Sequence, residues 1–190
     1  KFSLGIIDAT SRGFELPEKY AGVGFARKIG IDLAIKHAQS TNSLIFSTDA
    51  DTIVSKIYFQ KILSYFSQKN ISAAVVGFQH LLEEKNNTDQ AIRDYEKFLM
   101  LTAKNIKQAG SPYGYVSMGS TMVCTVKSYC SVGGMPSKKA TEDFYFLQAL
   151  AKYCGVYTIP EVLVYPSSRY SERVYLGTGY RMNQTKFGSK

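Results

Sequence analysis

At 190 residues, 45% hydrophobic and 20% charged, the chain has the size and composition of one globular domain with its own core, unlike a disordered segment. Its formal net charge of +8, from 23 basic and 15 acidic residues, suggests an anionic partner. No apolar run approaches the ~18 residues of a membrane span, and no basic run with interleaved aromatics marks a nucleic-acid stripe.

Apolar, β-rich runs alternate with longer helical patterns, which predicts an α/β layered domain. Phe2 to Ile7 reads as a strand. Gly22 to Ala38 reads as a helix with an apolar stripe at Ala26, Ile29, Leu33 and Ala34. Ser43 to Thr48 is a short buried strand that ends at Asp49. Ser55 to Gln68 is helical, with Tyr58, Ile62, Tyr65 and Phe66 on one side. Ala73 to Phe78 is another strand. Asp89 to Gln108 is the longest helix, its inward positions Ile92, Tyr95, Leu99, Thr102 and Ile106 stepping by three and four. A loop follows from Gly110 to Gly119, then a strand from Thr121 to Val126. Thr141 to Cys154 is a helix with Phe144, Leu147, Leu150 and Cys154 inward, and Val156 to Ile159 and Val162 to Tyr165 are short strands. The segment after Pro166 has no clear period and is basic.

The sharpest local feature is the run Leu44 to Thr52, in which an apolar strand leads directly into Asp49 and Asp51. Side chains alternate along an extended chain, so the two carboxylates can point the same way. Open α/β sheets bind ligands outside the carboxyl ends of their strands. Two carboxylates there form a hard-oxygen site suited to Mg²⁺ or Mn²⁺, ions that neutralise phosphate oxygens. The plainer alternative is a turn followed by a helix cap. The aspartyl-phosphate phosphatase pattern fits less well, because Ile53 holds the place where threonine is required.

A second acidic cluster follows the loop Gly133-Gly134-Met135-Pro136. Thr141 is suited to cap a helix, with Glu142 and Asp143 in its first turn. These carboxylates serve either as capping groups or as a general base at a loop–helix junction.

In order and spacing, these segments resemble glycosyltransferase family 2, which has the GT-A fold. Gly24-Phe25-Ala26-Arg27-Lys28-Ile29-Gly30 is similar to the family's Ala-Arg-Asn-x-Gly helix start, with Lys28 at the asparagine. Thr48-Asp49-Ala50-Asp51-Thr52 is similar to its Asp-x-Asp strand end. The stretch from Gly119-Ser120-Thr121-Met122 through Gly133-Gly134-Met135 to Glu142-Asp143 is similar to its acceptor-side pattern. The resemblance covers about residues 20 to 150. It implies a GT-A-like mixed sheet flanked by helices, with a catalytic domain over residues 1–166 and a basic tail, 167–190, near the active site. The family's opening strand and Tyr-Asn turn have no counterpart, so the resemblance implies a domain without that first strand.

The roles implied are these. Asp49 and Asp51 lie at the donor diphosphate and hold Mn²⁺ or Mg²⁺, with Asp51 the better candidate for direct metal contact. Asp143 is the base that activates the acceptor hydroxyl, and Glu142 supports it. Arg27 lies near the nucleotide, Arg169 and Arg173 hold donor phosphates, and Gly133 and Gly134 let main chain approach the acceptor sugar. The partners implied are a UDP- or GDP-linked sugar donor and a saccharide or lipid-linked acceptor. Nucleic acid is not expected. A lipid-linked acceptor is compatible with peripheral membrane association, and the expected compartment is the cytoplasm, including the inner membrane face.

Other features read as structure. Gly22-Val23-Gly24 fails as a dinucleotide loop because Arg27 holds the third glycine position. Cys124, Cys130 and Cys154 have no metal or redox spacing and read as buried reduced thiols. His37 reads as surface, His80 as structural at a strand end, and Tyr113 and Tyr115 as loop anchors. Two other functions share the acidic clusters: a Mg²⁺-dependent nucleotidyltransferase, whose usual glycine-rich, lysine-bearing loop is not seen, and a non-catalytic binding domain.

Overall fold

The computed structural model describes residues 3–81 and 88–167. Five strands, β1 (Leu44–Phe46), β2 (Ile53–Val54), β3 (Ala73–Phe78), β4 (Met122–Thr125) and β5 (Tyr157–Tyr165), form one curled mixed sheet in the order β1-β4-β3-β5-β2. The β3–β5 pair is parallel and the other three pairs are antiparallel. Five α-helices flank it: α1 (Val23–Ala34), α2 (Tyr58–Lys69), α3 (Thr88–Gln108), α4 (Val126–Ser131) and α5 (Glu142–Tyr153). The expected mixed α/β domain is thus observed.

Strand alternation divides the core into two layers. Ala74, Val76 and Phe78 of β3 join Val123 of β4 against Tyr58, Ile62 and Phe66 of α2. Ala73 and Val75 join Met122 and Cys124 on the other face, against Phe146, Leu147 and Leu150 of α5. Because both faces of β3 are covered, its sequence is a nearly continuous apolar run. Each large side chain buried here contributes about 1.5–3 kcal/mol.

The structure rotates two helices from their expected faces. In α1, Ala26, Leu33 and Ala34 are exposed, and the inward row is Arg27, Ile31 and Ile35. A charged residue heads that row, so an apolar-only stripe misses it. In α5, Phe146, Leu147, Leu150 and Ala151 are buried, whereas Phe144 and Cys154 are exposed. In α3, Thr102 is exposed and the charged Glu96 is buried. Cys130 is exposed as well, so of the three free thiols only Cys124 is buried.

Val156–Ile159 and Val162–Tyr165 form one strand, β5, whose register with β3 shifts at Gly77. There is no room for a side chain at Gly77, because the Glu161 carbonyl fills the space. The two-residue β2 and six-residue α4 are too short to show a period. The strand expected from Phe2 to Ile7 is not formed over Ser3 to Ile7, which has no ladder partner among the described residues, and Leu4 and Ile6 are exposed. The segment lies beside α1, where it lines a groove of about 690 Å³ with Gly30 and Leu33. β1 meanwhile forms one lateral edge of the sheet and pairs only with β4. No described helix is long and apolar enough to cross a membrane.

Candidate active site

The sheet order dictates an unusual path after β1. β1, β3 and β5 run in the same direction, so their carboxyl ends share one edge with the start of β4. β1 and β2 lie at opposite sides of the sheet, yet only residues 47–52 connect them. Four strand spacings span roughly 19 Å, and the connection reaches roughly 23 Å when fully extended. The segment bearing Asp49 and Asp51 must therefore cross the carboxyl edge of the sheet. Ser47 still pairs with β4, its N–H donating to the Met122 carbonyl (3.0 Å). The Thr52 N–H then closes a turn on the Asp49 carbonyl (3.1 Å). That turn shortens the crossing, which the curl of the sheet accommodates.

Arg27 gathers this crossing and the second acidic cluster into one place. From the second turn of α1, its Nη2 donates to Asp49 Oδ1. Its Nη1 donates to Ser47 Oγ (2.6 Å) and to the Gly119 carbonyl at the start of β4 (3.1 Å). Its Nε lies 3.2 Å from Glu142 Oε1, the first residue of α5. That approach is an ion pair by distance, but it lacks hydrogen-bond alignment, so Nε remains a buried donor without a hydrogen-bond partner. One guanidinium thus ties four segments that are remote in sequence, as its planar fork of donors permits.

Glu142 is 4% exposed, and burial pushes its carboxyl above the ordinary range despite Arg27. Asp143 is half-buried beside it and accepts a hydrogen bond from the Phe144 N–H (2.7 Å). Thr141 occupies the N-cap position, but its hydroxyl makes no cap bond; it donates to the Ala140 carbonyl (2.6 Å). The loop before it is pinned to α1. The Gly24 N–H donates to the Lys138 carbonyl (3.2 Å), and a side chain at Gly24 would collide with the Pro136 and Lys138 carbonyls. Gly22 and Gly24 are thus packing glycines. Gly133 and Gly134 both have positive φ, 82° and 79°, where they close the exit of α4. Tyr129 and Lys28 border Gly134.

Two further buried atoms lack hydrogen-bond partners: Thr52 Oγ1, at the end of the same crossing, and Tyr58 Oη, in the core layer on the α2 side of the sheet. Tyr58 opens α2, and its ring packs against Phe46 at the end of β1. With Arg27 Nε, these are the three such side-chain atoms among the described residues. Native proteins leave few buried polar groups unpaired, and two of these three belong to the crossing and to the arginine that holds it.

Of the residues expected at the site, Arg27 contacts both Asp49 and Glu142, with Asp51 two residues beyond Asp49 and Asp143 next to Glu142 in sequence. Arg169 and Arg173 lie outside the described residues. Sequence reading missed Ser47 and Thr52 as neighbours of the cluster. A serine ending an otherwise apolar strand was the available signal for the first. His80 belongs to a separate cluster. Glu96 Oε1 accepts from the His80 N–H (2.6 Å) and lies 2.9 Å from its Nδ1, while Oε2 accepts from Arg93 (3.1 Å). Tyr115 packs into the core and its phenol is pushed up to about 12, chiefly by burial. His37 is exposed.

The carboxylates can be tested against a divalent ion. Among the described residues, no group of three or more His, Cys, Asp or Glu side chains is placed to hold a metal. Mg²⁺ typically binds through one or two carboxylates plus water and substrate phosphates; the carboxylates of the crossing that such an ion would draw on are Asp49, one of whose oxygens Arg27 engages, and Asp51.

The chain matches no family model and no curated protein. Among solved structures it is similar to Staphylococcus aureus TarS 1–349, with a TM-score of 0.53 at 14% identity over 78% of this chain and 41% of that one. It is also similar to the same protein in complex with UDP-GlcNAc, with a TM-score of 0.52 at 12% identity over 80% and 43%. The chain thus spans about two fifths of those chains. At such identities the likeness is one of fold, a mixed α/β domain like that of a glycosyltransferase.

Proposed function

We propose that this domain transfers a sugar from a nucleoside-diphosphate donor to an acceptor hydroxyl, as in glycosyltransferase family 2. The observation that carries this reading is the Arg27 bridge between Asp49 and Glu142, which brings the two acidic clusters to one edge of the sheet. The similarity to a protein crystallised with UDP-GlcNAc supports a nucleotide-sugar donor.

Asp49 and Asp51 would hold the ion, which supplies charge neutralisation for the leaving diphosphate. Arg27 engages one oxygen of Asp49, so Asp51 is assigned the closer contact. Asp143 takes the proton of the acceptor hydroxyl as that oxygen bonds to the anomeric carbon. The bond from that carbon to the diphosphate oxygen breaks, and the nucleoside diphosphate leaves with the electron pair. A single displacement of this kind inverts the anomeric centre. Glu142, fixed by Arg27, braces the start of α5 so that Asp143 stands half-exposed. Gly133 and Gly134 are assigned to the acceptor side, and Arg169 and Arg173 to the donor phosphates.

The test is release of UDP or GDP from a panel of nucleotide sugars, with saccharide and lipid-linked acceptors. Asp143→Asn should keep donor binding and lose roughly 100- to 10,000-fold in turnover, the range for removal of a general base. Turnover at the wild-type rate would remove Asp143 from the mechanism. Release of pyrophosphate from a nucleoside triphosphate would favour nucleotidyl transfer instead.

A further inference from the structure

Thr141 joins two bodies that cannot easily move. On one side, the loop through Lys138 is locked onto the start of α1 by the close contacts at Gly22 and Gly24. On the other, α5 is fixed by Phe146, Leu147 and Leu150 in the core. Thr141 spans the junction with φ 63° and ψ 19°, the left-handed region. A β-branched residue is a true outlier there, whereas glycine would adopt the same angles at little cost. The threonine is thus a strained choice where a relaxed one exists. Strain of this kind persists where surrounding structure over-determines it, often at functional sites. Its hydroxyl donates to the Ala140 carbonyl (2.6 Å), which holds the junction from within. The two residues it launches differ in exposure: Glu142 is buried against Arg27, and Asp143 is half-buried.

We propose that Thr141 is a positioning residue, whose left-handed backbone and hydroxyl together fix the angle at which Asp143 meets the acceptor. This rests on the glycosyl-transfer reading above. The threonine gives up stability to hold that angle; glycine reaches the same angle without strain, but lacks the hydroxyl bond to Ala140 and is free to leave it, so it would recover the stability and hold the angle less firmly.

The experiment compares Thr141→Gly and Thr141→Ser with wild type by thermal unfolding and by donor consumption, both transfer to acceptor and hydrolysis by water. T141G should raise Tm by about 2–4 °C. Its kcat should fall roughly ten- to a hundred-fold, the order produced by misplacing a reacting group by about 1 Å. Its KM for the donor should stay within about two-fold, because an interaction made only in the transition state leaves KM unchanged. T141S keeps the hydroxyl and should retain most of the wild-type rate. Because T141G is expected to be the more stable protein, a loss of rate cannot be assigned to unfolding. A T141G that is more stable and equally active overturns the positioning role, and one that is less stable overturns the strain. A wild-type chain that consumes no nucleotide sugar by either route overturns the glycosyl-transfer reading itself, and the role of Thr141 with it.

Discussion

Two charged clusters in this fold look alike in composition and differ in completeness. Around Glu96, every carboxylate oxygen is used: Oε1 meets the backbone and ring of His80, and Oε2 meets Arg93. That network joins α3 to the end of β3 and is closed. Around Arg27, two carboxylates from remote segments converge on one guanidinium, whose Nε has no aligned acceptor. Asp49 is itself 43% exposed. One further unpaired hydroxyl, on Thr52, ends the same crossing segment. A complete network rigidifies a fold, whereas an incomplete one is the kind of place where a ligand is accommodated. The difference makes the Arg27 cluster the candidate site and the Glu96 cluster an anchor, even though each contains an arginine and a glutamate.

Substitutions can break the comparison. The largest effect on stability is expected from Arg27→Met, which leaves Glu142 buried without its partner. Losing one member of a buried pair costs about 3–5 kcal/mol, measurable by urea unfolding. Glu142 is held above its ordinary pKa by burial, so this loss should shrink as the pH falls through that raised value and the carboxyl is protonated. A loss that stays constant across that range would mean Glu142 is not the group left exposed to the penalty. Glu96→Gln should cost less, about 1–3 kcal/mol, by weakening the bonds to His80 and Arg93. The same variant should leave KM for the nucleotide sugar unaltered, and a rise in KM would move the His80 cluster into the site. The smallest effect is expected from Tyr58→Phe. It deletes a buried hydroxyl that has no partner and should raise stability by about 1 kcal/mol. A drop would show that the hydroxyl is bonded.

Much of this was legible in the sequence, and the failures share a cause. The α/β layering, β3 and the faces of α2 follow from apolar periodicity, because those elements bury only apolar groups. The path from an apolar strand into Asp49 and Asp51, and the turn into Glu142 and Asp143, were visible as carboxylates at element ends. The rotation of α1 was not, since Arg27 takes an inward position that an apolar stripe cannot count. The burial of Glu96 was missed for the same reason. Ser3 to Ile7 has the composition of a strand but no partner, and pairing cannot be read from a segment by itself. The link between the two acidic clusters was likewise invisible, because it is made by one side chain reaching across a fold.

On the proposed function, Asp51 and its neighbours should receive a nucleoside diphosphate together with a divalent ion. The direct measurement is a calorimetric titration of the folded chain with UDP and with GDP, each with Mn²⁺ and with chelator, repeated on Asp51→Asn. The account predicts binding of one nucleotide that requires the ion and is lost in Asp51→Asn. Binding that ignores both chelator and substitution, or no binding of either nucleotide, would contradict it.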